Sequence, residues 1–286
     1  MNNNVLEKKK RAEGLTSIGL LNSGPFLTSY QSADTIRRGI SSLHQALLIY
    51  RERDIRRAFP EESRKGEADV IFNLHYSCLK LEQHTEVIAY LQQALSLYQT
   101  LQDKASEAKT LENISFIYSD LNQHSQAIRY MNQAVGLYRT TDATRECKAL
   151  NNLGIACSKA ELFKEAIWSY QQATELAQQL GNVEEQILPL TNLAVAYCSI
   201  QDYSQATYCY EQASLLAQRI GDFSRQAEIL QILGVLHHYN NQTQLGDEYL
   251  QRAKIARESP ETVIRPVPGN DRSAYIRVSF DEEPEH

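Results

Sequence analysis

The sequence predicts an all-α fold, a solenoid of stacked antiparallel helix pairs, on three observations. First, six alanines (Ala46, Ala94, Ala134, Ala173, Ala213 and Ala253) recur at intervals of about 40 residues. A period of that length marks a repeat array in which each unit covers the apolar face of the next. Second, a large apolar residue stands three before each alanine: Leu43, Leu91, Met131, Tyr170, Tyr210 and Leu250. Leu or Ile stands three after the first five, at Ile49, Leu97, Leu137, Leu176 and Leu216. That spacing is one face of a helix. Third, another apolar helix precedes each alanine from the second onward, through Ile71, Leu74 and Cys78, then Leu111, Ile114 and Tyr118. Leu150, Leu153 and Cys157, then Leu190, Leu193 and Tyr197, then Leu230, Leu233 and His237 continue it.

Small residues hold fixed offsets within these helices. Seven before each alanine stand Gly39, Val87, Ala127, Ala166, Ala206 and Gly246, of which only Val87 is neither Ala nor Gly. In the preceding helix the matching place belongs to Ser115, Gly154, Ala194 and Gly234, with His75 as the outlier. Two antiparallel helices approach closely only where the facing side chains are short, so these positions mark the crossing points.

Taken in chain order, residues 1–34 are expected to form an irregular N-terminal segment or cap, because Gly24-Pro25 interrupts any regular helix before Thr35. The helix around Ala46 is then half of a partial repeat. Between it and the next unit lies the charged stretch Arg51 to Glu67, where Pro60 fits either a longer loop or an extended helix with a break. The array occupies residues 35–258, with turns marked by Asp103, Asp142, Gly181-Asn182 and Gly221-Asp222, which combine helix stops with N-capping residues. Pro189 is expected to delay or kink its helix. From Ser259, the prolines 260, 266 and 268 and Gly269 forbid a further helix, so residues 259–286 are expected to be a flexible acidic tail. Within it Tyr275 to Phe280 alternates as a short strand or docking motif would.

The pattern resembles the tetratricopeptide repeat, whose motif runs large, Leu, Gly, Tyr in the first helix and Ala, Tyr or Phe, Ala in the second. The match is best in Leu150, Leu153, Gly154, Phe163, Ala166, Tyr170 and Ala173. It covers roughly residues 66 to 257 in five copies, with a degenerate sixth before them. The long period is similar to the 40-residue subclass of kinesin light chain, Pins/LGN-type adaptors and bacterial arrays. The Pro that commonly closes the shorter repeat is absent here. The resemblance implies a right-handed superhelix whose concave face, lined by the first helices, binds peptides.

Composition narrows the function. A net charge of −6 argues against nucleic acid, which needs a basic surface. The run Lys8, Lys9, Lys10, Arg11 is the local exception and reads as a solvated segment. No apolar run approaches a membrane span and no signal-peptide core follows the N-terminal charges, so a cytoplasmic protein without membrane insertion is expected. Five cysteines without a CxxC spacing, two of them at apolar positions of first helices, suggest buried thiols in a reducing compartment. The sequence contains no glycine-rich phosphate loop, HExxH or GxSxG, and His237-His238 reads as part of the last repeat's cap, so no enzyme activity, metal or cofactor is expected.

One polar residue repeats in register. Asn73, Asn113, Asn152 and Asn192 each stand immediately before the first-helix Leu or Ile. Helix geometry turns them away from the apolar contacts, and an amide offers a donor and an acceptor to an extended peptide backbone. The other reading is structural, a bond to a neighbouring helix. Phe72, Tyr76, Phe116, Asn151, Ile155, Lys109 and Lys148 share the groove-facing register. Family members that grip a terminal carboxylate carry Lys and Asn at the fifth and ninth positions, whereas this chain has Phe72/Tyr76, Glu112/Phe116, Asn151/Ile155 and Thr191/Val195. The expected partner is therefore a protein segment with apolar anchors and some acidic character. Alternatives are a peptide-sensing regulator that changes shape and an accessory subunit of a larger assembly, with self-association allowed through the last repeat.

Overall fold

Each alanine of the period is buried, on a helix of its own, in the computed structural model, which describes residues 3–23, 32–81 and 84–258. The chain divides into two units, residues 1–206 and 207–286. In the first, α1 (Asn3–Ser23) packs on α2 (Ala33–Arg51), and α3 (Arg53–Ala58) leads into the next pair, α4 (Pro60–Lys80) with α5 (His84–Leu101). The pairs α6 (Lys104–Asp120) with α7 (His124–Thr141) and α8 (Ala143–Lys159) with α9 (Phe163–Gln179) come next, and α10 (Val183–Ser199) stacks on α9. The division of units falls within α11 (Tyr203–Arg219). In the second unit α12 (Phe223–Tyr239) pairs with α13 (Thr243–Glu258). The described residues are an all-α solenoid of stacked helix pairs.

The crossing points have the expected chemistry. A Cβ on Gly154 would stand 2.4 Å from the Tyr170 ring, and one on Gly234 would stand 2.7 Å from Leu250 Cγ. In both pairs the glycine of the first helix admits the large residue that stands three before the repeating alanine, which is itself buried. The alanines let the backbones close up, and the large side chains fill the remaining space.

The N-terminus departs from expectation. Residues 3–23 form a continuous helix, and a Cβ on its Gly19 would meet Leu43 Cγ at 2.5 Å, the same glycine-to-large contact as in later pairs. The first unit is therefore a full pair, and Leu15-x-x-Ile18-Gly19 repeats the spacing of Leu150-x-x-Leu153-Gly154. Gly24-Pro25, the source of the irregular reading, falls after the helix, outside the described residues. The basic run is not simply solvated. Lys8 Nζ pairs with Glu52 Oε2 at 2.6 Å and Asp54 Oδ2 at 2.8 Å, and Lys9 lies 4.6 Å over the Phe59 ring.

The stretch around Pro60 is a short helix between two breaks. Glu52 is extended, Phe59 leaves helical geometry, and Pro60 begins α4 where its missing N–H costs nothing. Buried Glu67 ties it together, accepting from Arg51 Nε and from Arg56, each at 2.7 Å. Pro189 neither delays nor ends α10, which runs from Val183 through it. The caps fall where the sequence puts them: Asp103, Asp142, Asn182 and Asp222 each accept a bond from the backbone N–H three residues on. Turn positions Gln102, Asn122, Glu161, Gln201 and Asn241 adopt positive φ alongside Gly181 and Gly221. Ser259 onward lies outside the described residues.

Candidate peptide groove

The first helices of the pairs in unit 1 form an inner row: α6 touches α8, and α8 touches α10. Residues at neighbouring registers therefore meet from helix to helix. Asn152 Nδ2 donates to Glu112 Oε1 at 3.0 Å, and Asn192 Nδ2 donates to Asn151 Oδ1 at 2.9 Å. Lys159 Nζ donates to Ser119 Oγ at 3.2 Å, and Lys148 pairs with Glu185 Oε1 at 2.9 Å, which raises the lysine's pKa. Asn113 turns back to its own helix, donating to the Lys109 carbonyl at 2.7 Å. Each amide bond uses one N–H of a side chain that has two plus a carbonyl oxygen, so the ladder is both a polar seam between repeats and a row of remaining donors and acceptors.

The outer helices brace the seam. Tyr138 on α7 donates to Glu112 Oε2 at 3.1 Å, leaving Glu112 held through both oxygens. Tyr98 on α5 donates to Asp69 at 2.7 Å, and burial raises the Asp69 pKa. Burial and these carboxylates raise both tyrosines above the ordinary phenol value, so they remain donors.

The residues expected to line the groove divide. Phe116 is exposed, Lys109 and Lys148 are exposed, and Tyr76, Ile155, Asn73, Asn113, Asn152 and Asn192 are half-buried. Phe72 and Asn151 depart from that expectation because both are buried. Phe72 sits against Tyr98 with Lys109 Nζ 5.1 Å over its ring, and Asn151 is covered where it accepts from Asn192. The expected lining omits Leu188, which is 57% exposed on α10 near Val195, 53% exposed. Their spacing of seven places both on one helix face, and that period is the signal in the sequence that marks them. It also omits Trp168, the chain's one tryptophan, 53% exposed beside an outer cleft of about 400 Å³ shared with Ile128, Asn132 and Leu162.

The thiols show no catalytic poise. Cys78, Cys147, Cys157 and Cys209 are buried, and burial pushes Cys147 and Cys157 up to about 11, where the thiolate is scarce at neutral pH. His237 stacks on Tyr249 at 5.1 Å and meets Gln242 Oε1 at 2.7 Å, and His238 pairs with Asp247, as packing residues of the last pair. Among the described residues there is no group of three His, Cys, Asp or Glu placed to hold a metal ion, and no helix long and apolar enough to cross a membrane.

Stacked helix pairs with an inner row of amides, lysines and apolar side chains define a helical repeat protein. Residues 67–140 match the family model of the tetratricopeptide repeat, and the array has the fold of that family. The solved structure of BtubC (BKLC) from P. vanneervenii is 19% identical, with 82% of this chain and 96% of that chain covered and a TM-score of 0.64. A putative kinesin light chain of nearly identical TPR-like repeats from Podosopora anserina is 16% identical, with 71% and 98% covered and a TM-score of 0.57. Aspartyl phosphate phosphatase F from Bacillus subtilis is 15% identical, with 88% of this chain and 61% of that chain covered and a TM-score of 0.53. At these identities the likeness concerns the fold. No curated protein matches the sequence.

Proposed function

We propose that this chain is a non-catalytic adaptor whose inner row in unit 1 binds an extended segment of another protein. The observation that carries the reading is the exposure of Leu188, Val195 and Phe116 on the same helices as the asparagine ladder and the exposed Lys109 and Lys148. Apolar side chains in water among amides and lysines suit a ligand with apolar anchors, a backbone to be bonded, and acidic side chains. Tetratricopeptide repeats are generally non-catalytic, and the buried thiols fit a reducing compartment such as the cytoplasm.

A peptide-display selection on the whole chain tests this, with the Phe116→Asp/Val195→Asp double variant as comparison. The wild type is expected to enrich acidic segments with spaced apolar residues, and the variant to lose them. Equal retention by both proteins overturns the groove assignment. Small-angle scattering during titration with a selected peptide separates an adaptor, whose profile stays constant, from a regulator that changes shape.

A further inference from the structure

The second unit carries an apolar face of its own. On α12, Ile232 and Val235 are 45% and 60% exposed, and with Glu228, Gln231 and Leu236 they line an open trough of about 540 Å³. These residues recur at helical spacing along one side. The described chain ends beside them. Arg257, next to the last residue of α13, donates to Gln231 Oε1 at 2.8 Å, so the chain leaves Glu258 at the edge of the trough.

The C-terminal segment has chemistry that matches this face. Ile276, Val278 and Phe280 alternate with Tyr275, Arg277 and Ser279, so an extended strand presents three apolar side chains on one side. The stretch 259–274 spans up to about 50 Å when extended, against about 16 Å for α12 from position 228 to 239. Reach is therefore sufficient, and tethering places the segment at an effective concentration on the order of millimolar.

We infer that residues 275–280 of the same chain occupy the α12 trough, with Ile276, Val278 and Phe280 against Ile232, Val235 and Leu236. The segment shields this face and competes with any ligand directed to it. The inference is independent of the groove proposed for unit 1.

The test uses the full chain with photoreactive benzoylphenylalanine in place of Phe280, illuminated at low protein concentration and mapped by mass spectrometry. Adducts are expected within one molecule, on the segment 228–239. Val235→Glu, a change at an exposed position, buries a charge against the tail and is expected to lower the adduct yield about tenfold. Ile276→Ser/Val278→Ser, which leaves the helices untouched, is expected to lower it similarly. Circular dichroism verifies that the helices persist. Adducts on α13 or elsewhere, adducts joining two copies, or a yield unchanged by either variant overturn the inference.

Discussion

Asn152 Nδ2 donates to Glu112 Oε1 at 3.0 Å, binding α8 to α6 across one repeat boundary. Asn113, at the same register one repeat earlier, bonds the Lys109 carbonyl of its own helix and faces the buried His75 ring of α4. Identical residues at identical positions thus have different partners, and the two substitutions separate stability from binding. Asn152→Ala is expected to destabilise the chain by about 0.5–1.5 kcal/mol in a urea melt. Asn113→Ala, which removes a bond within one helix and a contact with His75, is expected to cost less than Asn152→Ala in the same melt while weakening peptide binding. Equal stability losses would show that the ladder is structural throughout.

Gly154 is expected to be intolerant of any side chain. The Tyr170 ring against which a Cβ would press is buried, so it has no open space into which to retreat. Gly154→Val should cost about 1–3 kcal/mol or more through overpacking, despite the better helix propensity of a substituted residue. Thermal denaturation checks it; a variant as stable as wild type would mean that α8 and α9 do not cross at this point.

Glu161 adopts φ of 60° in the turn between α8 and α9, a left-handed conformation that costs a side-chain-bearing residue energy. Gly181 and Gly221 occupy other turns with the same sign of φ. Glu161→Gly is therefore expected to stabilise the chain by about 0.5–1 kcal/mol. Calorimetry should register a higher melting temperature.

His75 takes a crossing position that Gly, Ala or Ser holds elsewhere, and burial pushes its pKa down from 6.5 to about 4. The folded chain keeps the ring neutral while the unfolded chain takes up a proton as pH falls below 6.5. This group's contribution therefore declines from pH 6.5 to about 4, by roughly 3 kcal/mol in all, and is level below that range. His75→Gln is expected to flatten the stability profile between pH 7 and 5. Asp69, whose pKa burial raises, acts in the opposite sense at lower pH, so the readout is the difference between wild type and variant.

Sequence periodicity alone determined the pairs built on Ala94, Ala134 and Ala173, because a helix face and a crossing point are local consequences of spacing 3, 4 and 7. The capping residues Asp103, Asp142, Asn182 and Asp222 were equally legible, since a cap bonds an amide only three residues away. That Phe116 faces water and that the four asparagines stand at the border of the core was also readable. Tertiary structure decided the role each of them takes there. Whether Asn152 meets Glu112, whether Phe72 is covered by Lys109 and Tyr98, and whether residues 3–23 find a glycine contact with Leu43 depend on side chains about 25 to 40 residues away, brought close by stacking. Pro189 shows the same limit: local propensity opposes a helix there, and the burial of Ile187, Leu190 and Leu193 outweighs it.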